Sequence, residues 1–276
     1  PLDFALLKEF ASSGYFYATA RLIERNYMFT NNSNAESTAS TSWTWDSNAG
    51  WNEAGYNTDY QSWMWKRHAG FDVVTITDYD STTGPTYTWH PHSLGKKPEM
   101  IWVKCRNDSQ EWWVYHHGAN GGTNPWNNYL QLQSNAAEGT LTGFFGESGP
   151  TATAFSLKRG AMTDGDFIFM LFASVKGISH CGTFTGNGST QTITIPDGGF
   201  QPRFLIMKCT SHAVDWQVLD TTRGWASGND KYLELNTNAA QYTTIDFGAP
   251  TSTGFTLTEN AGFNGSGREY IYYAHA

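Results

Sequence analysis

Four small constellations in this chain of 276 residues carry side chains able to do chemistry. His90 and His92 sit two apart in WHPH, which on a strand places both imidazoles on one face, and His116 and His117 are adjacent. Neighbouring imidazoles are potential metal ligands, but no cysteine or acidic set accompanies either pair. Their counterparts 104 residues on, a spacing set by the repeats below, read as Thr194 and Pro196 for the first pair and Asp220 and Thr221 for the second. No metal is assigned to them. Asp164 and Asp166 in TDGDF alternate like part of a calcium loop, but the full run of oxygen ligands with its terminal glutamate is missing, so a hairpin turn is expected there. Cys105, Cys181 and Cys209 are the only cysteines, an odd number without a CxxC pair, and are expected to be buried or edge thiols. Such thiols suit folding in a reducing cytoplasm.

The fourth set is aromatic. Of twelve tryptophans, Trp112 and Trp216 recur at one place inside strand-like runs and are expected to pack in a core. Trp126 and Trp225 lie instead in Gly/Asn-rich connections, GANGGTNPWNN and TTRGWASGNDK, where a flat apolar side chain is expected to be accessible. With the nearby amides Asn127 and Asn229 they are the candidate contacts for a receptor or glycan.

Catalytic signatures are missing: there is no GxSxG elbow, no HExxH and no Walker glycine loop, and most carboxylates sit in turn-like DG, GE or DS contexts. The chain is therefore read as a binding or structural module, not an enzyme, and no cofactor is expected. With 17 basic and 25 acidic residues the net charge is −8, and no Lys/Arg cluster interrupts that background, which argues against nucleic acid as a partner. The strongest apolar run, Phe167 to Ala173, is far too short for a helical membrane span, so no membrane insertion is expected. The chain opens on Pro1 without a methionine, so it is expected to be the processed or partial form of a longer polypeptide, which the mass of the intact protein would test.

The elements that must position these residues are read from internal similarity. PEMIWVKC from Pro98 corresponds to PRFLIMKC from Pro202, a shift of 202 − 98 = 104, and the same shift carries Trp112 onto Trp216 and Val114 onto Val218. YLQLQSNAAE from Tyr129 meets YLELNTNAAQ from Tyr232, and FIFMLFA from Phe167 meets YIYYAHA from Tyr270. NYMFTNNSNAES from Asn26 resembles NYLQLQSNAAEG from Asn128, which points to an earlier, degenerate copy. The division expected is a partial first repeat over 1–69, a second repeat over 70–176 and a third over 177–276.

Aromatic residues at 16% against charged ones at 15%, with 28 glycines, suit strands and turns. Strand-like runs of four to eight residues recur between Gly, Asn, Asp, Ser and Thr clusters, so each repeat is expected to be an antiparallel β-sandwich of the jelly-roll or lectin-like kind, and the fold all-β. In IWVK, Ile101 and Val103 are expected to face one way and Trp102 and Lys104 the other, the pattern of a strand with one face buried. Helical periodicity is credible only over Asp3–Phe10.

LGxxPEMIWVKxR (Leu94 to Arg106), WWVYHHGxNGGT (Trp112 to Thr123), YLxLxSNAAE (Tyr129 to Glu138), APTSTGFTL (Ala249 to Leu257) and the link WMWKRHAGFDVV (Trp63 to Val74) together resemble a repeat of virion proteins from marine tailed phages, cyanophages included. That resemblance runs from about Asn26 onward. It implies a structural protein of the phage particle, of tail-fibre or appendage type, located in the virion and working at or near host attachment. The partners it implies are other copies of the chain in a homo-oligomer around an axis, such as a trimer, other tail or capsid proteins, and a host-surface glycan. A capsid or neck decoration protein without a receptor role, or a glycan depolymerase, are the alternatives.

Overall fold

The computed structural model describes every residue except 1, 41–42, 46–49, 54–57, 69 and 261. Its regular structure is β throughout, apart from short 3-10 turns at Arg21–Ile23, Ala119–Gly122 and Pro125–Asn127. Sheet one has the order β4-β3-β2-β1-β7, built from β1 (Phe4–Glu9), β2 (Phe16–Ala20), β3 (Asn26–Phe29), β4 (Ser37–Thr38) and β7 (Tyr60–Trp65). A small hairpin of β5 (Trp43–Thr44) and β6 (Asn52–Glu53) accompanies it. Sheet two has the order β13-β12-β11-β10-β15-β8, with β8 (Phe71–Tyr79), β10 (Met100–Cys105), β11 (Trp113–His116), β12 (Asn128–Gln131), β13 (Gly139–Thr140) and β15 (Gly165–Phe172). Its second layer pairs β9 (Tyr87–Pro91) with β14 (Ala154–Lys158).

Sheet three repeats that plan as β16-β24-β18-β19-β20-β21: β16 (Ser179–Thr185), β18 (Phe204–Cys209), β19 (Gln217–Asp220), β20 (Asp230–Glu234), β21 (Tyr242–Ile245) and β24 (Glu269–His275). The second layer here is β17 (Gln191–Thr194), β22 (Pro250–Thr251) and β23 (Gly254–Leu257), and every strand pairing is antiparallel. Each of these two large sheets packs one face on its own second layer, through Val103, Phe155 and Phe169 in one case and Met207, Phe255 and Tyr272 in the other. That is sandwich packing.

The opposite faces are buried as well. Met100, Trp102 and Met170 of sheet two meet Ile206, Ile271 and Tyr273 of sheet three and Phe4, Leu6, Trp63 and Trp65 of sheet one in a single continuous core. Two expectations are corrected by it. MIWVKC is buried at every position, Lys104 included, because its two faces serve two cores; period-2 alternation could not reveal that both sides were covered. Asp3–Phe10 is not helical: Phe4–Glu9 is the strand β1, held between β2 and β7 with Phe4 and Leu6 in the shared core, so tertiary packing overrides the local pattern.

The pairing register also corrects one correspondence. Phe155 lies opposite His90 and Phe255 opposite Ile193, while His92 and Ile195 donate their backbone amides to the carbonyls of Thr153 and Thr253. His90 and His92 thus stand where sheet three's partner layer has Ile193 and Ile195, one residue earlier than the loop sequences suggested. A one-residue shift exchanges faces, so the Thr194 and Pro196 comparison is replaced by an apolar, inward-facing one.

The three sheets are joined by backbone bonds that repeat from seam to seam. Glu36 N–H donates to Arg106 O at 2.7 Å, Glu138 N–H to Thr210 O at 2.8 Å, and Gln241 N–H to Phe10 O at 2.9 Å, which links sheet one to two, two to three, and three back to one. The chain therefore closes a threefold ring by itself.

Candidate functional site

The sequence candidates separate once their surroundings are known. Trp225 is 2% exposed: its indole N–H donates to Gly248 O at 3.0 Å and its ring meets Phe255 edge-on at 6.1 Å. Its expected accessibility is therefore corrected; a loop rich in glycine can turn inward, and here it lays the indole over the sandwich core. Trp126 is half-buried in the turn Pro125–Asn127 and packs against the sandwich core of unit two. Asn127 uses its Oδ1 to accept from Gly143 N–H at 2.7 Å. Asp230, at the matching start of β20, accepts from Phe247 N–H at 2.8 Å, and burial pushes its carboxyl up to about 6. Asn229 is exposed. The two loops belong to different units, one leading into β12 and the other into β20.

The histidines have structural surroundings too. His90 stacks near Phe155 and Phe169, and burial lowers its pKa. His116 is fully buried, accepts from Gly118 N–H on Nδ1 at 3.0 Å, and is held well below its ordinary pKa first by burial and then by His117. Among the described residues no group of three or more His, Cys, Asp or Glu is placed to hold a metal. The three cysteines are free and buried. Asp164 fixes a loop, its Oδ1 accepting from Ser81 N–H and Oγ–H, both at 2.7 Å.

That last contact forms one wall of a groove the sequence did not single out. Between Ser81, the loop Asp108–Glu111 and the turn Gly160–Asp164 lies a concavity of about 560 Å³ that includes Trp113. Trp113 is half-buried and braced edge-on by Tyr129 at 4.8 Å and Phe144 at 5.2 Å, so its ring is fixed in orientation. Exposed Asp108, Glu111 and Asp164 make the rim acidic, and the buried Gln110 Nε2 has no hydrogen-bond partner. Nearby Asp80 is held well below the usual carboxylate range by the hydroxyls and amides of Thr83 and Thr82, and so stays charged. An aromatic wall beside carboxylates and an unsatisfied amide suits a polyhydroxylated ligand, which offers apolar C–H faces and hydroxyl donors together. The only sequence sign was the doublet Trp112–Trp113, in which alternate strand positions send one indole to the core and the next to the groove.

A family model described as a domain of unknown function, DUF7483, matches residues 4–276. The chain belongs to that family. No curated protein and no solved structure matches it. Within this DUF7483 chain the groove is confined to one unit: the residue matching Trp113 is Gln217 in sheet three and Tyr17 in sheet one, as fixed by pairing opposite Val103, Met207 and Leu7. No helix among the described residues is long and apolar enough to cross a membrane.

Proposed function

We propose that this chain is a structural protein of a tailed-phage virion, of tail-fibre or appendage type, whose surface binds a host glycan. The ordered repeat motifs from Leu94 to Leu257 support the virion setting, and the groove around Trp113 supports the glycan. The observation that carries attachment is a braced indole beside Gln110 and three exposed carboxylates, a binding arrangement on a scaffold whose recurring tryptophans Trp112 and Trp216 are buried. The reading is of binding without turnover. A homo-oligomer, if formed, would use surfaces outside the shared core, because that core is already closed by one chain.

Two measurements test this. Antibody to the chain is expected to label purified virions, and unlabelled particles would end the virion reading. Adsorption of the isolated protein to host cells is expected to fall at least tenfold in Glu111→Ala and Gln110→Ala, while Asn229→Ala stays near the parent. Equal adsorption by all three would remove the groove, and new reducing ends released from host polysaccharide would replace binding by depolymerisation.

A further inference from the structure

The groove beside Trp113 differs in charge from the matching place in unit three, although one backbone plan builds both. Arg106 N–H donates to Asp166 O at 2.7 Å and Thr210 N–H to Glu269 O at 2.9 Å, and Trp113 and Gln217 pair with Val103 and Met207. The loop between these anchors has one length in both units, since 210 − 106 = 104 and 217 − 113 = 104, so it can be compared residue by residue. Asp108 stands where unit three has His212, and Gln110 where it has Val214. On the facing turn, two residues before Asp166 and Glu269, Asp164 stands where unit three has Gly267. Glu111 keeps its sign in Asp215, but Asp215 accepts from the Asn236 side-chain amide at 2.6 Å, whereas Glu111 is exposed. Unit three closes the same loop without an acid at the places of Asp108 and Asp164, so the fold does not require them.

The negative charge of the groove is not answered from within. Among the described residues no Lys, Arg or His lines it, and no ion pair reaches Asp108, Glu111 or Asp164. The cations nearby are committed elsewhere: Arg106 to Glu36 through two bonds, Lys158 Nζ to Thr142 O at 2.8 Å, and Arg159 to Gly84 O. Lys104 lies in the field of Asp108 and Glu111, but it is buried and its Nζ bonds Ser33 O and Cys105 O. Asp164 and Asp108 each commit one oxygen to a local turn, Asp164 Oδ1 to Ser81 and Asp108 Oδ1 to Ser109 N–H at 2.7 Å, and the second oxygen of each is left for a ligand. The indole of Trp113 shares this concavity in a fixed orientation, and an aromatic face attracts a cation just as the carboxylates do.

We infer that the ligand of this groove is a glycan carrying a free ammonium group, an amino sugar without its N-acetyl cap, held with the ammonium among Asp108, Glu111 and Asp164 and the sugar ring against Trp113. The inference rests on the reading of the groove as a glycan site and narrows it to one class. A uronate or a sulfated sugar brings the sign the rim already has, and like charges brought together in a concave site oppose binding. An N-acetylated sugar brings no charge for the carboxylates to meet. The ring matters as well as the charge: the indole offers an apolar surface to its C–H groups, and the unpartnered Gln110 Nε2 is a donor for its oxygens. A bare polycation has neither.

The test titrates the full chain by calorimetry with four probes: a glucosamine tetrasaccharide, its fully N-acetylated form, a galacturonate tetrasaccharide and tetralysine. The glucosamine probe is expected to bind at least tenfold more tightly than the acetylated one, which has the same rings and no charge, and the remaining two are expected to bind more weakly still. Asp108→Asn combined with Glu111→Gln is expected to remove the tenfold preference and to leave the acetylated probe within twofold of the parent. Trp113→Gln, which installs the residue that unit three carries at this place in the same fold, is expected to weaken both glucosamine probes at least tenfold. Equal binding of those two probes, galacturonate or tetralysine binding as tightly as glucosamine, or a preference that survives the double substitution would overturn the inference. Where Trp113→Gln still weakens saccharide binding in those cases, the groove stands as a glycan site of another class. If no saccharide binds, or Trp113→Gln changes nothing, the glycan reading of the groove falls together with the inference.

Discussion

The seam between sheets one and two and the seam between sheets two and three are built from the same three bonds. In the first, Trp112 Nε1–H donates to Phe29 O at 2.8 Å and Lys104 Nζ to Ser33 O at 3.1 Å. In the second, Trp216 Nε1–H donates to Gln131 O at 3.0 Å and Lys208 Nζ to Asn135 O at 3.1 Å. Each lysine also donates to the carbonyl of the next residue, Cys105 or Cys209. The third seam keeps the backbone bond of Gln241 to Phe10 but loses the rest. Phe16 occupies the tryptophan position, and Lys8 donates to Gly14 O within its own unit at 2.5 Å. A buried Asp220–Arg223 pair serves there instead, the guanidinium lying 5.3 Å from the Trp63 ring and reaching Gln241 Oε1 at 3.2 Å. The difference teaches that ring closure needs the backbone bond and the apolar core, whereas the side-chain cross-links can be exchanged.

The largest effect that would break this comparison is at the indoles. Trp112→Ala and Trp216→Ala are each expected to cost about 3–5 kcal/mol in urea unfolding, as large-to-small changes in a full core do. Trp112→Phe and Trp216→Phe should cost about 1–3 kcal/mol, chiefly by leaving Phe29 O or Gln131 O unpaired. If the Phe variants match the parent, the indole bonds do not join the sheets and Phe16 is no poorer a closure.

Next come the lysines. Lys104→Met and Lys208→Met should each cost about 2–3 kcal/mol, because two buried carbonyls lose a charged donor, and Lys8→Met about 1 kcal/mol, because one does. Equal losses at all three would erase the distinction between the seams.

A smaller effect is expected from pH. Burial holds Lys8, Lys104 and Lys208 down at about 8, against 10.5 for an unburied lysine. The unfolded chain then binds more protons than the folded one between those values, so stability rises with pH across that window and the burial penalty is fully present below about 8. Above about 10 the sign reverses, since burial pushes the hydroxyls of Tyr115 and Tyr272 above their ordinary pKa of 10.0. Unfolding midpoints are expected to climb between pH 8 and pH 10, and Lys104→Met with Lys208→Met should flatten the climb. A flat profile in the parent would show that the carbonyl bonds offset burial.

The smallest difference is an ion pair found in one seam. Arg106 bonds Glu36 through Nε at 2.9 Å and Nη2 at 3.0 Å, whereas Thr210 stands opposite Glu138. Glu36→Gln should cost about 0.5–1 kcal/mol, less at high salt. Glu138→Gln should cost little, because burial already raises that carboxyl. Equal costs would make the pair incidental.

Much of the strand framework was legible because apolar runs bounded by turn residues recur in order, and the tryptophans inside those runs, Trp112 and Trp216, read correctly as core. In the glycine-rich connections the exposure of Trp225 did not read correctly. Trp126 and Trp225 share a loop-like context, but one is half-buried and the other enclosed, which depends on how the loop folds back and not on its composition. Trp113 went unnoticed beside its neighbour because nothing local says that Tyr129 and Phe144 will hold its ring next to an acidic rim. The start of the chain misled for a related reason: FALLKE is a plausible helix turn until β2 and β7 flank it.

By itself the sequence determined that this protein would be built of repeated strands, since alternation, turn residues and recurrence are local properties that survive without a partner. Only the tertiary structure decided that three sheets would share one core and close into a ring. Burial on the second face of each sheet is set by what packs against it, and that neighbour lies roughly one hundred residues away along the chain.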